Sequence, residues 1–200
     1  MPAETMIAPG FSDPVFQSQA AFRALLAALS EPGTLQNVAN EIAPPEGLTT
    51  ATATALLTLA DYETPVWLPQ ALRHGPAGAW LRFHCGTALV DDPTGAVFAV
   101  IDGAADEPKL SAFKLGTDQF PDRSTTVIVQ VAGLQGGAAI TLAGPGIPGS
   151  RTIAPRGLRS GFTDELRENG ALYPLGVDVL LTHGERLIGL PRSTQIEEAR

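Results

Sequence analysis

Arg23, Arg151 and Arg192 are the side chains with most to offer a ligand, because a guanidinium can hold a phosphate or phosphonate through two parallel N–H bonds. Arg23 borders the apolar run of a predicted helix, Arg151 follows the glycine-rich stretch "GPGIPG", and Arg192 closes a predicted strand. The expectation is an anion- or substrate-contacting role for these three. Pairing with an Asp or Glu of a neighbouring loop or subunit competes with it. "GPGIPG", Gly144 to Gly149, has the G-x-G-x-x-G form that can present backbone amides to a phosphate. Pro145 and Pro148 delete two of those donors, and "SRTIAPRG" follows instead of a helix. A rigid turn is the stronger reading.

The remaining chemistry is thin. His74, His84 and His183 fall outside metal-ligand spacing, so no metal site is assigned. No G-x-S-x-G elbow surrounds Ser30, Ser111, Ser124 or Ser193, although a triad could still assemble in space. A pyridoxal-phosphate enzyme needs a lysine for its Schiff base, and the chain offers only Lys109 and Lys114 on a charged, solvated segment. No cofactor is expected. Asp61, Asp102 and His84 are the acid/base candidates if the chain is a stand-alone small-molecule enzyme with an arginine clamp. That reading requires them to converge on one cleft.

Composition narrows the partners. Thirteen Lys and Arg against 21 Asp and Glu give a net charge of −8, and the cations are scattered. Nucleic acid and anionic membranes, which select clustered cations, are poor partners for such a surface. Cys85 is alone, so neither an internal disulfide nor a cysteine cage can form. No run approaches the ~18 apolar residues of a membrane span, and "MPAETMIAPG" lacks a secretory pattern. A soluble, cytoplasmic protein is expected.

These side chains must be carried by a folded frame of 200 residues, 44% of them hydrophobic. "SDPVFQSQAAFRALLAALSEPG" predicts a helix capped by Asp13, led by Pro14 and stopped at Pro32-Gly33. Phe22, Leu25, Leu26 and Leu29 are its expected buried face. "TTATATALLTLAD" predicts a second helix and "TPVWLP" a short strand. "AWLRFHC" alternates as a strand would, "AVFAVID" fits a strand buried on both faces, and "EPKLSAFKLG" a short helix. "TTVIVQVAGLQGGAAITLAG" predicts a hairpin around Gly136-Gly137, and "GVDVLLTHGERLIGLP" another near His183-Gly184. "GLRSGFTDELRENG" between them predicts a helix. Helices covering a mixed β-sheet in one α/β domain over residues 1–200 follow, with an ordered core of about residues 13–194 and short flexible termini.

Five segments together resemble the PhnH family of carbon–phosphorus lyase subunits: Gln19 to Gly33, Leu56 to Leu68, Leu81 to Val90, Thr141 to Ile147 and Tyr173 to Thr194. The resemblance implies phosphonate catabolism, in which ATP and methylphosphonate yield alpha-D-ribose 1-methylphosphonate 5-triphosphate and the C–P bond is later cleaved by a radical route. It implies a non-catalytic subunit that works beside nucleosidase-like and radical-lyase subunits. It also implies a fold like the large domain of pyridoxal-phosphate transferases without the cofactor, and a homodimer. No catalytic residue carries over. "PRST", Pro191 to Thr194, departs from an expected "PRTT" but keeps the hydroxyl.

Overall fold

The computed structural model describes residues 7–38, 42–106 and 108–197. Of the termini expected to be flexible outside residues 13–194, residues 1–6 and 198–200 lie outside the described residues, whereas the Ala8 carbonyl is held by Trp80 and His84 and residues 195 and 196 pair in a strand. Helix α1, Pro14–Ser30, starts as expected, with the Asp13 carboxylate accepting the Phe16 N–H at 3.3 Å. Its buried face differs. Ala21, Leu25 and Ala28 face inward, while Phe22 and Leu26 are each 49% exposed. The cause lies beneath the helix: a Cβ on Gly189 would stand 2.5 Å from the Ala28 carbonyl oxygen. Helix and sheet approach so closely that mainly small side chains fit between them, and the larger ones turn outward.

Strand β1, Leu35–Asn37, leads to α2, Thr50–Leu59, where the Thr/Ala mixture is helical as expected. Thr52 is buried and its hydroxyl meets that of Thr182 at 2.9 Å, so a small polar helix can lie directly on the sheet. Strand β2 spans Val66–Trp67, followed by α3, Gln70–His74, and α4, Pro76–Cys85. The expected strand at "AWLRFHC" is thus a helix. Gly75 and Pro76 start it, and Gly86, left-handed at φ 65°, closes it on the Arg82 carbonyl. Trp80 and Leu81 are both buried, which adjacent residues of a one-faced strand could not be.

Strand β3 is Leu89–Val90, β4 Phe98–Asp102 and β5 Thr126–Gln130. The expected helix at "EPKLSAFKLG" reduces to a single 3-10 turn at Leu110–Ala112; its first residue, 107, lies outside the described residues. Strands β6, Ile140–Ala143, and β7, Arg151–Ile153, precede helix α5, Phe162–Ala171. Strands β8, Asp178–His183, β9, Arg186–Leu190, and β10, Gln195–Ile196, complete the order.

Among the described residues seven strands form one mixed sheet in the order β1-β9-β8-β5-β4-β2-β3. From β8 to β3 the strands are parallel; β9 runs against β8, and β1 against β9. The β8–β9 hairpin turns at Gly184 as expected. The hairpin expected at Gly136-Gly137 does not form. Instead β5 lies between β4 and β8, while β6 leaves for a second sheet of order β10-β6-β7. The difference follows from burial, since β5 is covered on both faces and β6 alternates Ile140 and Leu142 inward with half-exposed Thr141 and Ala143.

Period-two alternation sorts the central strands into two cores. Val100, Ile128 and Leu180 pack with α1, α2 and α4 on one face. Ile101, Val129 and Leu181 pack with Phe113, α5 and the small sheet on the other. The molecule is an α/β structure with helices on both faces of a mostly parallel mixed sheet.

Candidate functional site

The antiparallel pairing of Val179 with Leu190 brings the start of β8 beside the end of β9. Asp178 and Arg192 meet there. Arg192 donates from its backbone N and its Nε to Asp178 Oδ1, at 2.9 and 3.1 Å, and from Nη2 to Oδ2 at 2.5 Å. Its Nη1 donates to the Pro121 carbonyl. The two side chains are 14% and 21% exposed, so each charge is largely neutralised by the other in a partly dry setting. Beside them lies an open concavity of about 400 Å³, lined by Pro121, Asp122, Tyr173, Asp178, Arg192 and Ser193 among others. Pro145 of the glycine-rich turn also borders it. Two carboxylates against one guanidinium make this hollow net negative.

Gly144 to Gly149 forms the turn that joins β6 to β7. Gly144, Gly146 and Gly149 have φ of 126°, 80° and 73°, values that favour glycine. Gly146 also packs against the end of α1, where a Cβ would stand 2.1 Å from the Ser30 carbonyl oxygen. The loop's glycines therefore serve conformation and close approach. Arg151 follows it and donates from Nη1 to the carbonyls of Glu31 and Pro32, tying the α1 exit to β7. Arg23 stands exposed midway along α1. No two of the three arginines share a hydrogen-bond partner. Arg151 and Arg23 pair with no carboxylate among the described residues.

The acid/base candidates do not converge either. Asp61 precedes β2, Asp102 ends β4, and β2 and β4 are parallel with Val66 opposite Phe98. The two carboxylates therefore sit toward opposite ends of these neighbouring strands. Each is engaged locally: Asp61 Oδ1 accepts from Glu63 N and Thr64 Oγ1, and Asp102 Oδ1 from Ala104 N. His84 points its Nε2 at the Ala8 carbonyl, 2.9 Å away, alongside the Trp80 indole N–H that donates to the same oxygen. Lys109 and Lys114 are both exposed. Burial, with a smaller push from Asp61, raises the Cys85 thiol to about 12 and keeps it protonated.

A further cation escapes sequence reasoning. Arg159 is 9% exposed, donates to both oxygens of Glu165 and to the carbonyls of Ala105 and Pro108, and lies over the Phe162 ring. It pins the loop after β4 to the start of α5, at the carboxyl edge where open α/β sheets hold ligands. A hollow of about 480 Å³ opens there among Asp106, Lys109, Arg159, Asp164, Glu165 and Glu168. Its carboxylates outnumber its cations, and four of the five Arg159 N–H groups are already taken. The only signal in the chain is an Arg-x5-Glu spacing straddling a helix start.

Comparison with known proteins supplies what the geometry does not. The family model described as bacterial phosphonate metabolism protein (PhnH) matches residues 9–197. Over 198 residues the chain is 40% identical to the alpha-D-ribose 1-methylphosphonate 5-triphosphate synthase subunit PhnH of Rhizobium meliloti (strain 1021), covering 98% of this chain and 99% of that one. It is 30% identical over 181 residues to HtxG of Stutzerimonas stutzeri, named as a candidate C-P lyase subunit protein, covering 90% and 86%.

Proposed function

Because the chain belongs to the PhnH family of bacterial phosphonate metabolism proteins, we propose that it is a subunit of the carbon–phosphorus lyase system. It is needed there for making alpha-D-ribose 1-methylphosphonate 5-triphosphate and performs no catalysis by itself. The observation that carries this is 40% identity along 98% of the chain to a subunit bearing that enzyme's name. It is supported by the separation of Asp61 from Asp102 and by the commitment of Arg192 to Asp178.

The finer readings belong to the same proposal. The partners are the nucleosidase-like and radical-lyase subunits of the transferase and lyase steps, in the cytoplasm, and the chain forms a homodimer. A single domain over residues 1–200, with an ordered core of about 13–194, is supported by one sheet that takes strands from Leu35 to Leu190. The likeness to the large domain of pyridoxal-phosphate transferases is supported by a mostly parallel seven-stranded sheet in which β9 is reversed against its neighbours. Of the expected anion contacts, Arg151 keeps an uncompensated charge beside the glycine-rich turn. The anion role rests there more than on Arg192.

The test is reconstitution. The other subunits, given ATP and methylphosphonate, are expected to form product only when this chain is added, and to co-purify with it. Product formation by the isolated chain, abolished by one substitution, would overturn the reading.

A further inference from the structure

Three hollows follow helix α5 from its start to its exit. The one at its start shares Lys109, Glu165 and Glu168 with a second of about 200 Å³, whose apolar lining is Leu110, Leu115 and Leu172. The third begins at Tyr173, the next residue, and is the concavity beside Asp178 and Arg192. Glu165, Glu168 and Leu172 follow i, i+3, i+7 and so lie along one side of the helix. Phe162 and Leu166 hold the helix to the core on its other side. Together the hollows form a trough that runs the roughly 15 Å of a ten-residue helix and onto the loop beyond it.

The charges along the trough are unequal. Arg159 is committed to Glu165, and Arg192 to Asp178. Asp106, Glu168 and Asp122 keep carboxylates with no ion pair among the described residues, against Lys109 alone. Between them Leu172 and Tyr173 are 43% and 63% exposed. An apolar seat flanked on both sides by unpaired carboxylates has the dry centre and charged rim of a protein interface, and it repels phosphate-rich surfaces. We propose that the trough receives a segment of another subunit of the carbon–phosphorus lyase system, one with Lys or Arg side chains on either side of a large aliphatic residue. The assignment rests on the subunit reading above and names its surface and its partner's chemistry. The aliphatic side chain fills the 200 Å³ hollow over Leu110, Leu115 and Leu172. One cation meets Glu168 and Asp106. The other meets Asp122 beside Tyr173, an exposed ring whose face attracts positive charge.

Titrating the other purified subunits onto the tagged full chain tests the assignment. In low salt, Glu168→Lys is expected to weaken assembly about tenfold, and Leu172→Asp at least as much. Glu63→Lys, an equal change of charge on the loop before β2, is expected to leave it unaltered. In about 1 M salt, where the screening length is ~3 Å, the Glu168→Lys deficit is expected to shrink. All three positions are exposed, so unchanged melting temperatures will show that the folds survive; should Leu172→Asp unfold, Glu168→Lys still decides. A benzophenone maleimide on Glu168→Cys is expected to capture a Lys- or Arg-bearing stretch of another subunit. Cys85, held protonated, reacts too slowly to compete. Assembly unaffected by Glu168→Lys, or a loss that Glu63→Lys shares, overturns the trough and leaves the subunit reading standing. Capture of a stretch without cations, or of a second copy of this chain, overturns it equally. A parent chain that binds none of the other subunits overturns the subunit reading itself.

Discussion

Glu165 holds Arg159 at two points, Oε1 to Nε at 3.0 Å and Oε2 to Nη2 at 2.7 Å, and its Oε2 also accepts the Leu110 N–H. The Arg and Glu side chains are 4% and 13% exposed, so both are largely withdrawn from water. Removing one member leaves a buried, unmatched charge. Glu165→Ala is expected to destabilise the fold by about 3–5 kcal/mol. Replacing both residues with Leu and Met, which removes the stranded charge, is expected to recover part of that loss. Urea unfolding of the single and double variants measures it.

The hairpin of β8 and β9 contains two glycines that do different work. A Cβ at Gly189 would meet the Ala28 carbonyl at 2.5 Å, whereas Gly184 has φ 56° and open space around it. Gly189→Ala must push α1 off the sheet and is expected to cost about 1–3 kcal/mol. Gly184→Ala meets only backbone strain, about 1 kcal/mol. The order of the two melting temperatures decides the matter.

Cys85 supplies a pH signature. Its thiol is raised from 9.0 to about 12, chiefly by burial. Between those values the unfolded chain loses the proton while the folded chain keeps it. The contribution is therefore fully present below pH 9 and is lost as pH rises toward 12, by up to ~1.4 kcal/mol per pH unit. Cys85→Ala is expected to flatten this slope in urea titrations between pH 9 and 10.5. At pH 8 the native thiol is expected to alkylate far more slowly than a free cysteine, because little thiolate is present.

Arg192 tests the difference between a planar fork and a point charge. Arg192→Lys keeps the charge but cannot span both Asp178 oxygens and the Pro121 carbonyl together. A loss of about 1–3 kcal/mol is expected for either Arg192→Lys or Arg192→Ala. A lysine variant as stable as the parent would show that the two-point geometry contributes nothing.

Some local signals are legible in the sequence, and the non-local ones are not. The Asp13-Pro14 start of α1, the doubly buried β4 and the Gly184 turn are written in consecutive residues. In "AWLRFHC", Gly75-Pro76 and Gly86 outweigh an alternation that Trp80 and Leu81, both buried, do not obey. Ala28 faces the sheet because Gly189 lies beneath it, 161 residues further along the chain. Likewise β5 and β6 part company because β4 and β8 claim β5 from both sides. At the candidate site the arginines were visible but their partners were not. Arg192 answers to a carbonyl 71 positions away and Arg151 to one 119 away, and backbone carbonyls leave no mark in composition.

The ladder between β5 and β8 joins residues that lie 52 apart, Thr126 to Asp178, with β6, β7 and α5 strung between them. Closing so wide a loop costs entropy before any contact returns it, so folding is expected to be slow, on the order of milliseconds to seconds. Until β8 arrives, β5 stands as a bare, sticky rim of Val127, Ile128 and Val129. A newly made chain spends that interval vulnerable to clumping, and lower growth temperature or chaperone supply should raise the yield of usable material.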